Sequence, residues 1–247
     1  MKILKRVLCL CLFMTYMQAF AQEKNDSITL FNTLSELQDL YRQKDIGFDI
    51  DYTYASELHP EVTLDSLSGH LDIAGANYHY QMSNMDMTAN GRYVITLFKE
   101  DKVMYLSKPS ADSSNPLEQM WLSLKMAGID HCSFDKFSNF NRITIVFRPD
   151  GIYKEMRMDL DNKTGYPIAM QYVIRTEMLL APNEGSADVT KEYGEYAIVS
   201  CNYSNYSALV AQSGMFDEKS FFSKKGKEFE PTKAFEDYQV FVGSPNL

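Results

Sequence analysis

The sequence predicts an α+β protein that is mainly antiparallel β. Three observations carry this: one helical period near the start, a series of two-residue periods after it, and turn signals between them short enough to force antiparallel neighbours. From Asp26 to Gln43, Leu30, Leu34, Leu37 and Tyr41 recur at spacings of three and four, and Phe31 and Leu40 widen the stripe. Asp26 or Ser27 supplies the N-cap, its side-chain oxygen accepting from a first-turn N–H. A helix with one apolar face needs a sheet to pack on.

After it the period drops to two. Ile46, Phe48, Ile50, Tyr52 and Tyr54 alternate with Gly47, Asp49, Asp51 and Thr53, which predicts a strand with one dry and one wet side. Tyr78, Tyr80 and Met82 alternate with His79 and Gln81 in the same way. Ile143, Ile145 and Phe147 oppose Arg142, Thr144 and Arg148; Met156, Met158 and Leu160 oppose Glu155, Arg157 and Asp159. Ile168, Met170, Tyr172 and Ile174 continue the series. The turns read "ANG" at 89–91, "PDG" at 149–151 and "DNKTG" at 161–165. A polar loop from Lys108 to Pro116 leads into a second, short helix with Leu117, Met120, Trp121 and Leu124 on one stripe. Residues 180–195 are expected as a surface loop, 196–207 as a strand, and Tyr238 to Val242 as a last strand.

The start of the chain is a different kind of segment. Lys2, Lys5 and Arg6 precede the apolar run "VLCLCLFMTYM", and "QAFAQ" follows, with Ala19 and Ala21 in the small-x-small pattern of signal-peptidase cleavage. Residues 1–21 are therefore expected as a signal peptide, cut before Gln22. The run is too short for a hydrocarbon core of about 30 Å, which takes about 20 residues. Leu8 and Leu10 stand before Cys9 and Cys11 where lipid attachment needs small residues, so no acylation is expected. No later apolar run is long enough to span a membrane, and the expected location is the periplasm. Removing 1–21 leaves 22–247, read as one domain, with 21 cationic against 33 acidic side chains and a net charge of −12 in place of −9. That balance excludes a nucleic-acid partner, which needs a basic surface. Cys132 and Cys201 survive cleavage; in an oxidising compartment they either pair or stay as two buried thiols.

Catalytic and metal signatures are absent. His59, His70, His79 and His131 form no H-E-x-x-H, and there is no C-x-x-C. His70 and His79 fall at best on neighbouring strands and read as satisfied or surface histidines. Counted from Asp159, a calcium loop would need glycine sixth, where Thr164 stands, so a plain turn explains "DNKTG". Asp49 and Asp51 read as the solvated side of a strand. No G-x-S-x-G and no glycine-rich phosphate loop occurs, so neither an enzyme nor a cofactor is predicted.

The stretch "LSGHLDIAGANYHYQMSNMDMTANGRYVITLFKEDKVMYLSKPS" (67–110) carries Gly69, Tyr78, Tyr80, Asn90, Gly91, Tyr93 and Tyr105. The later hairpin at 142–174 carries Asp161, Lys163, Thr164, Gly165 and Pro167 at its turn. With the signal segment and the first helix, this layout resembles the LolA-type carriers of outer-membrane lipoproteins over about 46–176. The resemblance implies a curved half-barrel sheet with the N-terminal helix and the short central helix on its concave face. It also implies a periplasmic, non-catalytic carrier of a hydrophobic ligand such as lipoprotein acyl chains. The remaining residues, about 177–247, are expected as a C-terminal extension, which fits a rival reading as a docking subunit of an envelope complex.

The chain holds 14 Met and 16 Tyr, side chains that offer adaptable apolar surface. Tyr78, Tyr80, Met82, Met156, Met158 and Met170 either fill a core under the helices or line a cleft. In the second case Leu117, Met120, Trp121 and Leu124 sit on a lid over acyl chains or an amphipathic peptide.

Overall fold

The structure, a computed structural model, describes residues 28–41, 44–109, 126–179, 193–209, 214–244 and 247. Residues 28–41 form the helix α1. Fourteen strands follow: β1 (Ile46–Ser56), β2 (His59–Ala74), β3 (Asn77–Met82), β4 (Met85–Ala89), β5 (Val94–Phe98), β6 (Val103–Ser107) and β7 (Ile129–Lys136). Then come β8 (Phe140–Phe147), β9 (Tyr153–Asp161), β10 (Pro167–Arg175), β11 (Tyr196–Ala208), β12 (Phe222–Lys225), β13 (Glu228–Pro231) and β14 (Gln239–Val242). Twelve of them build one open sheet in the order β14-β6-β5-β4-β3-β2-β1-β11-β10-β9-β8-β7, and β12 and β13 pair as a separate hairpin. Every pairing in the large sheet is antiparallel except β14 on β6, which is parallel.

The two-residue period sorts the side chains into two faces. Ile46, Phe48 and Ile50 of β1 are buried with Leu71 and Ile73 of β2, Met156 and Met158 of β9, and Met170 of β10. Leu30, Leu34, Leu37 and Tyr41 of α1 close over that front face and join the same core. The sequence reading of α1 and of these strands holds, apart from Ile168. A register shift between Pro167 and Ala169 takes it out of alternation and leaves it 37% exposed. The "DNKTG" turn is a plain turn: the Asp161 carboxylate accepts from the N–H groups of Lys163 and Thr164, and Gly165 takes φ 74°.

Beyond the reach of the sequence pattern, the C-terminal segment packs on the opposite, back face. There Ile95, Leu97, Met104 and Leu106 of β5 and β6 meet Phe222 in a second core, flanked by Phe221, Phe229, Phe235 and Tyr238. Glu218, only 8% exposed, anchors it by accepting from Asn90 Nδ2 at 2.9 Å and pairing with Arg92. The central helix expected around Leu117, Met120, Trp121 and Leu124 lies outside the described residues, as do residues 1–27 and most of the 180–195 segment.

Cys132 and Cys201 remain buried thiols with no disulfide between them. They sit on β7 and β11, four strand spacings apart, about 19 Å at 4.8 Å each. A bridge needs Cα atoms within about 7 Å, so of the two readings of the cysteines the thiols stand.

Candidate functional site

Strand register turns the front face into cross-strand rows. On one half, Ile143, Met158, Met170, Cys201 and Tyr52 lie in register across β8, β9, β10, β11 and β1. The next row sets Ile145, Met156, Tyr172, Val199 and Tyr54 side by side. On the other half, Phe48, Leu71, Tyr80, Met87, Thr96, Tyr105 and Phe241 form a row from β1 out to β14. All six described residues of the predicted ligand surface point to this face. Met156, Met158, Met170 and Tyr78 are buried in the core, whereas Tyr80 and Met82 are half-exposed at its margin.

Burial falls along the Phe48 row in a definite direction. Phe48 is fully buried, Leu71 nearly so, Tyr80 and Met87 are half-exposed, Tyr105 is 40% exposed and Phe241 is 50% exposed. The adjacent row of Met82, Met85 and Phe98 opens the same way. A magnitude explains it. Twelve strands at about 4.8 Å span about 53 Å, while a 14-residue helix is only about 21 Å long and about 10 Å across. The helix covers the middle of the apolar face and leaves its β4–β6–β14 wing open among the described residues.

The tyrosine hydroxyls on this face are satisfied internally. Tyr80 donates to Tyr52 at 3.2 Å, Tyr172 and Cys201 Sγ lie 3.4 Å apart, and Tyr206 donates to the Pro167 carbonyl at 2.8 Å. Burial raises Tyr52, Tyr172, Tyr203 and Tyr206 above the ordinary phenol value, so all four stay neutral. The face therefore carries no charge at neutral pH. At the C-terminal end of α1 a recess of about 390 Å³ opens between Lys44, Ile46, Tyr166, Tyr206 and Ala208, walled by the Tyr166–Tyr206 stack at 4.6 Å.

The back face has the opposite chemistry. His70 and His79 do fall on neighbouring strands, and carboxylates alternate with them in a chain. Asp49 lies 2.5 Å from His70 Nδ1, Asp72 lies 3.1 Å from His70 Nε2, and Asp86 lies 2.7 Å from His79 Nε2. Asp72 also faces His79 Nδ1 at 3.6 Å. Asn205, at φ 55° in a bulge of β11, donates to Asp49 at 2.7 Å, and Lys99 lies 3.5 Å from Asp86. Burial opposes the imidazolium forms, but the flanking carboxylates raise both histidines above their ordinary value. Asp49 is lowered by Asn205 and then by His70; burial pushes Asp86 up, but His79 outweighs it and lowers it. Asp51 is bound by Ser68 at 2.6 Å. The separation of His70 and His79 made their neighbouring strands legible. The alternation with three aspartates needed the register, which sequence does not print.

Among the described residues, no group of three or more His, Cys, Asp or Glu side chains is arranged to hold a metal ion. No described helix is long and apolar enough to cross a membrane.

No protein-family model and no curated protein matches this chain. Solved structures do resemble it. It is similar to an uncharacterised conserved protein of Thermus thermophilus at 9% identity and a TM-score of 0.47, over 87% of this chain and 99% of that one. It is also similar to a LolA superfamily protein of Nitrosomonas europaea at 8% identity and a TM-score of 0.36, over 76% of this chain and 97% of that one. A third similarity is to a domain of a putative outer membrane lipoprotein-sorting protein of Vibrio parahaemolyticus, at 10% identity and a TM-score of 0.36, over 75% and 95%.

Proposed function

We propose that this protein is a non-catalytic, LolA-like periplasmic binder of a hydrophobic ligand, such as a lipid or the acyl chains of a lipoprotein, held on the front face. In this reading residues 1–21 direct export and 22–247 fold as one unit. The observation that carries it is the Phe48 row, which continues as apolar surface through Met87 to Tyr105 and Phe241 after the helix has ended. Apolar area left in water costs about 25 cal/mol per Å², and a face with neutral tyrosines and flexible methionines suits an alkyl chain without demanding one shape. The expected residues Tyr80 and Met82 lie at the border where covered surface gives way to open surface. Leu117, Met120, Trp121 and Leu124 complete the proposal as a lid.

A fluorescent fatty-acid titration of the delipidated mature protein tests this. Saturable binding is expected, weakened roughly tenfold in a Phe98→Asp/Phe241→Asp variant, because a charge there cannot enter an apolar contact without losing its water. Absence of saturable binding by the wild type would sink the reading.

The C-terminal segment favours a second reading, a docking subunit of an envelope complex. It builds a core of its own on the back face, where a ligand on the front face makes no use of it. Cross-linking in intact cells separates the two: one fixed protein complex supports docking, and transient capture of many lipoproteins supports carriage.

A further inference from the structure

We propose that a hollow on the back face, over β8 to β11, is a binding site for a neutral sugar. Two rows meet there: Arg142, Asp159, Ala169 and Asn202 in one, and Arg157, Gln171 and Ser200 in the other. Ala169 and Ser200 are shorter than their neighbours, so the surface sinks between them into a hollow of about 280 Å³. That is just under the roughly 300 Å³ at which small-molecule pockets begin, which is room for one sugar ring.

The charges at the rim are already matched. Arg142 donates through Nε and Nη2 to the two oxygens of Asp159, both at 2.7 Å, and Arg157 Nε lies 2.5 Å from Glu155. An ionic ligand of either sign would have to displace a partner. The groups left over are neutral. Gln171 Nε2 donates to Ser200 Oγ at 3.0 Å, which fixes the amide and leaves its carbonyl oxygen to accept and the Ser200 hydroxyl to donate. Asn202, exposed beside them, adds a second amide with both a donor and an acceptor. Donors and acceptors held side by side on strands match the adjacent hydroxyls of a sugar. The platform is also pre-organised: Phe137 and Phe140 stack at 4.6 Å, and the Arg142 guanidinium lies 5.5 and 5.4 Å from their centroids. Phe137 stays 45% exposed next to the hollow, an apolar surface of the kind that meets the C–H face of a sugar.

The test is amide NMR on the full mature chain, titrated separately with glucose, galactose, mannose and N-acetylglucosamine, and with phosphate and acetate. Saturable shifts of the Gln171 and Asn202 side-chain amides are expected with at least one sugar, at millimolar concentration. Affinity should fall roughly fivefold or more in Asn202→Ala and in Gln171→Ala, the loss of about one hydrogen bond each. Asn202 is exposed, so its variant keeps the fold, and fatty-acid binding on the opposite face should be unchanged in it. No saturable shift with any of the four sugars, or saturation by phosphate or acetate alone, would overturn the proposal.

Discussion

Cys201 shows how burial sets reactivity. It is 1% exposed, in register with Met170 on one side and Tyr52 on the other, and has the Tyr172 hydroxyl at 3.4 Å. Burial pushes its thiol up to about 11, and hydrogen bonds with Tyr172 and Tyr203 only partly offset that. The reactive thiolate is therefore scarce at pH 8, and reagent access is closed as well. Cys132 is buried too. Iodoacetamide should label neither residue in the native mature protein and both after denaturation, as read by intact mass. Rapid labelling of Cys201 in the native protein would contradict its place in the core.

The helix α1 depends on the sheet beneath it. An isolated helix of 14 residues is marginal in water, because nucleation costs more than so few turns return. Its stability comes from Leu30, Leu34, Leu37 and Tyr41, all below 9% exposed. Leu37→Ala should lower the unfolding free energy by about 2–5 kcal/mol in urea denaturation, the usual range for a buried leucine. A loss below about 1 kcal/mol would mean the helix rests on the sheet without packing into it. The strand β14 presents the reverse case. Phe241 and Val242 are about half-exposed, so its hold on β6 comes from a four-residue parallel ladder and from Tyr238 and Val240 against the back-face core.

At the scale of the whole molecule, one sheet separates an apolar front from a back that titrates. His70 and His79 sit above their ordinary value, so their stabilisation is complete below the unfolded value of about 6.5 and is lost as pH rises through the raised folded values. Asp49 and Asp86 sit below theirs, so their contribution is present above about 3.9 and is lost as pH falls through the lowered folded values. The Asp–His chain is therefore at its strongest between about pH 4 and 6.5. The melting temperature should fall from pH 6 to pH 9, and His70→Gln/His79→Gln should flatten that limb. An equal slope in the double variant would place the pH dependence elsewhere.

The sequence by itself determined what repeats locally. The three-and-four spacing of α1, the alternation of β1, β3, β8, β9 and β10, and the turn at Asp161–Gly165 all follow from side chains within a few residues of one another. So did the common face of Tyr80, Met82, Met158 and Met170, since a period of two assigns faces without knowing the partner strand. Only the tertiary structure decided which strands are neighbours. It was register that ran Phe48 out to Phe241, set His70 and His79 between three aspartates, and sank Ala169 and Ser200 between longer side chains. It also sent the C-terminal aromatic residues to the back face, where Ile95, Leu97, Met104 and Leu106 offered apolar surface on the side the rest of the sheet keeps polar. Pairing between residues 50 to 190 positions apart is fixed by the burial of the whole sheet, and no local pattern encodes it.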